Sequence, residues 1–487
     1  MRYARKALLL GLALALTGVG AFAQTDYSKY EALGDSLTAG YASDALTKFY
    51  QDYSFPAIIA KQVGISSFQQ PIISDPGIGS TGTVLMLSRL LVTPAGISPV
   101  IVHTPGNLGS PTNATLATPY NNLGIPGANN SDLITRTGDI TKPLTGNIDP
   151  NTIMYDLILR FPVFPGTTTP ATAIAQAIAT APTFVTVWAG NNDVLGAATT
   201  GVVVDGVTLT AKAKFQTDYT TLLGGLRQQR PAAAIVVGTI PDVTAIPFVT
   251  TIKPYLVNPA NGSHIPLIGE AGPLTEQDYV TLGASSLLAA GIGIPAAAGG
   301  TGKPLPEGSI DATGLHAGVI LRSGEIALIR SRTGELNDVI KAVAGQFGAK
   351  VVDFNAIFAN IAANGYMVGG IKLTSAFLTG GIFSYDGIHP QRLGYAIVAN
   401  EFIKVMNAGF GTNVPQVNLL PFLMGPSASA TTTVMAANTV FSTDAAIGVV
   451  KLFAPDADTS SLQTGHVVRK HVTAAPEGRN PVKPPTP

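Results

Sequence analysis

The sequence predicts an α/β fold in which a mostly parallel sheet lies between layers of helix. Two observations predict it. Short runs rich in β-branched and aromatic residues each stop at a turn marked by glycine or asparagine, and helical stretches alternate with those runs, as crossover helices alternate with parallel strands. The first run, Tyr27 to Leu33, is broken by Gly34 immediately before a helix start at Ser36 to Tyr41. Phe184 to Trp188 forms a second run and ends at Gly190-Asn191-Asn192-Asp193. Ala233 to Val237 follows the helical stretch Phe215 to Gln229 and ends at Gly238-Thr239-Ile240-Pro241. Lys350 to Phe354 follows the long helical stretch Ser323 to Phe347, and a last helix over Arg392 to Met406 is expected to close the domain near residue 410.

Two segments exceed what this alternation needs, one from about Ala42 to Pro119 and one from about Thr244 to Ile320. The first holds a helical piece, Phe55 to Val63, followed by turns rich in proline and glycine. Their apolar content favours ordered insertions over the sheet edge, and they are expected to wall a pocket. A C-terminal extension, 411–487, turns to Ser, Ala and Thr beyond Gly425 and then to closely spaced prolines, a composition that predicts disorder over most of it.

The first 23 residues predict a signal peptide: Arg2, Arg5 and Lys6, the apolar run Ala7 to Leu16, then small residues ending at Ala21-Phe22-Ala23. Export is therefore expected, to the periplasm, the cell surface or the medium, with a mature start near Gln24. No later stretch is long and apolar enough for a second membrane span. The 487 residues contain no cysteine, which excludes disulfides, thiolate metal sites and a cysteine nucleophile. Lysine plus arginine equals aspartate plus glutamate at 29 each, so no net charge draws the chain to nucleic acid or to an anionic membrane surface.

Four clusters sit at strand ends or in loops, where open parallel sheets place their ligands. They are Gly34-Asp35-Ser36-Leu37, Asn122-Leu123-Gly124-Ile125-Pro126-Gly127, Gly190-Asn191-Asn192-Asp193 and Asp386-Gly387-Ile388-His389-Pro390. Each also has a purely structural explanation: Ser36 as a helix cap, Gly127 as a turn residue, Asn192 and Asp193 as turn stabilisers, Asp386-Gly387 as a hairpin pair. Taken together they supply one chemistry. A serine hydroxyl needs a histidine base whose ring is fixed by a carboxylate, and Asp386 and His389, three apart, would share a face if they lay on one helical turn. The Ser36 and Gly127 backbone N–H groups and the Asn192 amide could then serve as donors to an oxyanion.

In these residues the chain resembles the GDSL-type SGNH hydrolases, whose four blocks appear here in family order between about Lys29 and Pro390. The resemblance implies a flavodoxin-like three-layer α/β/α sandwich. It further implies that Ser36 is the block I nucleophile, Gly127 and Asn192 the oxyanion residues of blocks II and III, and Asp386 with His389 the remainder of a catalytic triad. Family members hydrolyse carboxylic esters, thioesters or acetylated sugars, and some transfer acyl groups. The expected function is thus a cofactor-independent ester hydrolase of the lipase or esterase type, acting on a small-molecule or lipid ester. An acyltransferase or carbohydrate O-deacetylase with the same triad is the alternative, followed by a non-enzymatic surface-binding protein on a hydrolase scaffold. Gly77-Ile78-Gly79-Ser80-Thr81-Gly82 matches a dinucleotide-binding pattern but follows Asp75-Pro76 rather than a strand, and the histidines show no metal-ligand spacing outside the tail.

Overall fold

The computed structural model describes residues 25–93, 96–162, 169–258 and 260–423. The expected signal peptide and most of the expected disordered tail lie outside them. At the centre is a five-stranded sheet formed by β1 (Tyr30–Gly34), β4 (Asn122–Gly124), β5 (Phe184–Trp188), β6 (Ala234–Gly238) and β7 (Lys350–Val352). Its spatial order is β7-β6-β5-β1-β4, and every neighbouring pair is parallel. A separate antiparallel ribbon, β2 (Leu85–Thr93) and β3 (Gly96–His103), lies between β1 and β4 in sequence.

The sheet is buried on both faces, and the period of two in each strand sorts its side chains between two cores. Leu33, Val185, Val187, Ile235 and Val237 face one core together with Phe215, Tyr219 and Leu222 of α4 (Lys212–Gln229) and Ile329, Leu336 and Ile340 of α5 (Ser323–Gln346). Ala32, Phe184, Trp188 and Val236 face the other, against Phe55 and Ile59 of α2 (Phe55–Gln62), Phe354 of α6 (Phe354–Asn364), and Phe402 and Met406 of α7 (Arg392–Phe410). Each fully buried aliphatic or aromatic side chain contributes about 1.5–3 kcal/mol by leaving water. Aromatic stacking orders the second core: Trp188 lies on Phe354 at 4.1 Å and Phe55 on Phe402 at 4.6 Å. The Trp188 indole N–H donates to the Thr239 carbonyl at 3.0 Å, which ties the end of β5 to the loop after β6.

The expected strands and helices fall within a few residues of the observed ones. β4 was not expected, because three residues are too short to show an alternation. The chain after α7 turns back along that helix, where Asn407 and Asn400 accept the N–H groups of Val414 and Val417. No helix among the described residues is long and apolar enough to cross a membrane.

One carboxyl sits inside the sheet. Glu31 on β1 is fully buried and accepts one bond, from Asn121, while its second oxygen has no partner. Burial pushes its carboxyl up to about 8 despite that bond. A carboxyl whose native pKa exceeds its unfolded value stabilises the fold below the unfolded pKa, and that contribution is lost as pH rises through about 8. Glu31→Gln is expected to raise the melting temperature at pH 9 and to leave it nearly unchanged at pH 4; calorimetry at the two pH values checks this.

Candidate active site

The register of the sheet sets the site. Gly34 pairs with Gly124 on one side and Trp188 on the other, so β1, β4 and β5 end at one level. The segments that follow them carry Ser36, Gly127 and Asn192. Gly34 is required by close approach: a Cβ there would lie 2.2 Å from Thr38 Oγ1 and 2.3 Å from the Trp188 carbonyl oxygen. Only glycine lets α1 (Ser36–Ala39) fold back so tightly over the strand ends.

Asp35 caps α1, accepting the Leu37 N–H at 3.0 Å on one oxygen and the Asn191 amide at 2.8 Å on the other. Ser36 is therefore the first residue of the helix rather than its cap. Its backbone N–H makes no hydrogen bond among the described residues. Burial lifts the Asp35 carboxyl to about 6, against the lowering effect of Asn191.

His389 Nε2 lies 2.9 Å from Ser36 Oγ, and His389 Nδ1 lies 2.9 Å from Asp386 Oδ2. Asp386 Oδ1 also accepts from Ser384 Oγ and from the N–H groups of Ile388 and His389, and Oδ2 from the Asp44 N–H. Burial alone would raise this carboxyl, but the neighbouring imidazole and these donors hold it down at about 2. An ionised Asp386 can only accept, so Nδ1 carries the imidazole proton and Nε2 is left to accept the Ser36 hydroxyl. Asp386 and His389 do not lie on one helical turn. Residues 384–389 form a turn in which Gly387 has φ +70°, and the Asp386 carboxylate binds the backbone of the residues that follow it. Proximity comes from that local side-chain-to-backbone closure rather than from helical periodicity.

Sequence reasoning missed what holds Asp386. Ser43 and Asp44 are the two central residues of a tight turn closed by Ala42 and Ala45, and both have left-handed φ, +53° and +61°. Such turns favour Asn-Gly, so the Ser-Asp pair carries backbone strain. The turn aims the Asp44 N–H at Asp386 Oδ2, while the Ser43 N–H and Oγ engage Ser384 and Tyr385. Tyr41 lays its ring 4.9 Å from that of His389 and donates its hydroxyl to Asp44. An inverted preference, polar residues where glycine is usual, was the only signal, and it is silent without the turn.

Gly127 occupies the third position of the turn Ile125-Pro126-Gly127-Ala128, with φ +82°. Its N–H also makes no hydrogen bond among the described residues. Asn192 opens α3 (Asn192–Thr200) and donates one amide hydrogen to the Ala128 carbonyl at 2.8 Å, leaving a second for another acceptor. The next residue, Asp193, is buried and accepts the Asn130 N–H at 2.8 Å, with burial pushing its carboxyl up to about 7. Asn192 and Asp193 thus strap the Gly127 turn to α3, as Asp35 and Asn191 strap α1 to the β5 end. Ser36, His389 and Asp386 are thus joined by hydrogen bonds, and Gly127 and Asn192 are joined through Ala128, on segments that leave the sheet at the level where β1 ends. The Gly77–Gly82 segment packs against the Asp44 turn, and no metal-binding cluster of His, Asp and Glu occurs among the described residues.

A narrow, mostly apolar cleft opens beside the site, lined by Leu37, Trp188, Ile246, Phe358, Phe383 and Ile388, among others. Of the two long segments expected to wall a pocket, 244–320 contributes Ala245 and Ile246, and 42–119 contributes no lining residue.

The family model for GDSL-like lipases and acylhydrolases matches residues 30–402. The chain belongs to this family. Family membership makes it an ester hydrolase. The phospholipase A1 of Streptomyces albidoflavus NA297 is 14% identical over 79% of this chain and 100% of its own, with a TM-score of 0.31. An extracellular lipase of Streptomyces rimosus is also 14% identical, over 78% of this chain and 98% of its own, with a TM-score of 0.31. An acetylxylan esterase of Geobacillus stearothermophilus is 11% identical, over 80% and 97% respectively, with a TM-score of 0.32. No curated protein gives a match.

A Cβ on Gly127 would meet nothing within 4 Å, so its cost is backbone strain alone. Gly127→Ala is expected to lower stability by about 1–2 kcal/mol, measured by urea unfolding.

Proposed function

We propose that this family member is an exported carboxylic ester hydrolase working through a serine acyl-enzyme. The observation that carries the reading is the continuous hydrogen-bonded path from Ser36 Oγ through His389 to an Asp386 kept ionised. Ser36 Oγ attacks the ester carbonyl as His389 Nε2 takes its proton. The negative charge that develops on the carbonyl oxygen is met by the Ser36 and Gly127 N–H groups and the remaining Asn192 amide hydrogen. His389 then protonates the departing alcohol. Water, deprotonated by the same ring, attacks the acyl-enzyme and releases the acid, restoring the serine. No step calls for a cofactor. The apolar cleft beside Leu37 and Ile388 supports lipase- or esterase-type substrates over acetylated sugars, whose hydroxyl-rich surfaces call for polar partners.

Ser36→Ala is expected to reduce turnover of short nitrophenyl esters by about four to six orders of magnitude without a change in KM. It should also abolish labelling by a fluorophosphonate probe; a variant that still hydrolyses or still labels would overturn the assignment. Asn192→Ala removes one donor and should lower kcat by about 10²–10³, or about 3–4 kcal/mol, in steady-state kinetics. For export, the N-terminal sequence of protein recovered outside the cytoplasm is expected to begin near Gln24.

A further inference from the structure

The Gly77–Gly82 loop has a place in the fold that its sequence pattern does not suggest: it closes on the turn that reaches Asp386. Residues 78–79 pair antiparallel with residues 45–46, Ala45 opposite Gly79 and Leu46 opposite Ile78. Gly79 is required there, because a Cβ would lie 1.9 Å from the Asp44 carbonyl oxygen. That close approach brings the next two hydroxyls onto one side chain. Ser80 Oγ donates to Asp44 Oδ1 and Thr81 Oγ1 to Asp44 Oδ2, while the Tyr41 hydroxyl donates to Oδ1 at 2.9 Å. The Tyr41 oxygen in turn accepts the Ser80 N–H at 3.0 Å.

What these hydroxyls hold is strained. Ser43 and Asp44 have φ of +53° and +61°, a left-handed conformation that is unfavourable for residues with a Cβ. A turn built this way relaxes unless its surroundings fix it. Its N–H matters because of where it points: Asp386 Oδ2 accepts the Asp44 N–H at 3.0 Å and faces His389 Nδ1 at 2.9 Å. Two donors therefore share one oxygen. Negative charge drawn toward the Asp44 N–H is not available to the imidazole, so the turn weakens the hold of Asp386 on a protonated His389. A base that takes up and gives back a proton in each turnover needs that hold to be moderate.

We infer that Ser80 and Thr81 are positioning residues for the proton-moving half of the site: their hydroxyls clamp the Asp44 carboxylate, and the clamped turn keeps its N–H on the oxygen that faces His389. This role rests on the serine-hydrolase reading of Ser36 and His389, and the two fail separately. Failure of that reading would show as a Ser36 that a fluorophosphonate probe does not label, whereas failure of the clamp would show in the proton affinity of His389. The ionisable groups around this path are Asp35 and Tyr41 near His389, Tyr50 and Tyr395 near Asp386, Arg392 near Tyr50, and His103, whose Nε2 lies 3.1 Å from Thr81 Oγ1.

The test combines Ser80→Ala with Thr81→Val in the full mature chain. Both residues are exposed, and the two substitutions change no charge and leave every one of those ionisable groups in place. The midpoint of the acid limb of kcat/KM for a soluble nitrophenyl ester is expected to rise by about 0.5 pH unit, with kcat about ten-fold lower and KM within about two-fold. NMR titration of the His389 ring, assigned with the His389→Gln variant, needs no turnover and should move by the same amount. Thr81→Ser, which keeps a hydroxyl, should titrate as the wild type does. A midpoint that stays or falls in the double variant would overturn the inference. So would a Thr81→Ser variant shifted as far as the double one, because the hydroxyl would then not be what holds the turn.

Discussion

Parallel strands that begin from staggered places in a sequence can still end together, and here the common ending of β5, β1 and β4 is what makes a site. Because Gly34, Gly124 and Trp188 stand in one row across the sheet, three loops that follow them emerge side by side. No loop has to travel to bring its donor to the others. The fourth element, the turn holding Asp386 and His389, is not part of that row, and it reaches the serine through contacts with residues 41–44. In the proposed mechanism the sheet therefore aligns the groups that meet the carbonyl oxygen, while the turn at Ser43-Asp44 aligns the groups that move the proton.

Four buried carboxyls show how this small region separates two electrostatic outcomes. Asp386 receives five hydrogen bonds and an adjacent imidazole, and it stays low at about 2. Asp35, Asp193 and Glu31 each accept fewer bonds, and burial lifts them to about 6, 7 and 8. Burial is the largest influence on all four, so the number and kind of donors decides the sign. In mildly acidic solution Asp35 and Asp193 therefore carry less negative charge than the carboxyl facing His389, which stays ionised.

Much of the central fold was legible because its strands and helices are long enough to show a period: Phe184–Trp188 and the helices from Lys212 and Ser323 announce themselves by spacing alone. The site residues were legible for a different reason. Ser36, Gly127, Asn192, Asp386 and His389 stand in short clusters whose residue types each need another cluster to make chemical sense. What stayed hidden is what depends on contacts between distant segments. Asp44 shows no periodicity and no motif, and its role exists only because residue 386 folds onto it. Spacing by three would bring Asp386 and His389 together on a helical turn, and a side-chain-closed loop does so equally well, so the spacing alone does not tell the two apart. The ribbon was unreadable because its two strands pair with each other and, among the described residues, with no other strand that would betray them.

Ser36 and His389, its base in the proposed mechanism, are 353 residues apart. A chain made from its N-terminus exposes the serine early, yet the hydroxyl is an ordinary alcohol until the last strand and the turn after it have been added and packed. Reactivity toward esters is consequently a property of the finished molecule. On that mechanism no fragment ending before residue 389 can carry it, so a growing chain is inert toward esters until the turn that bears His389 has been added.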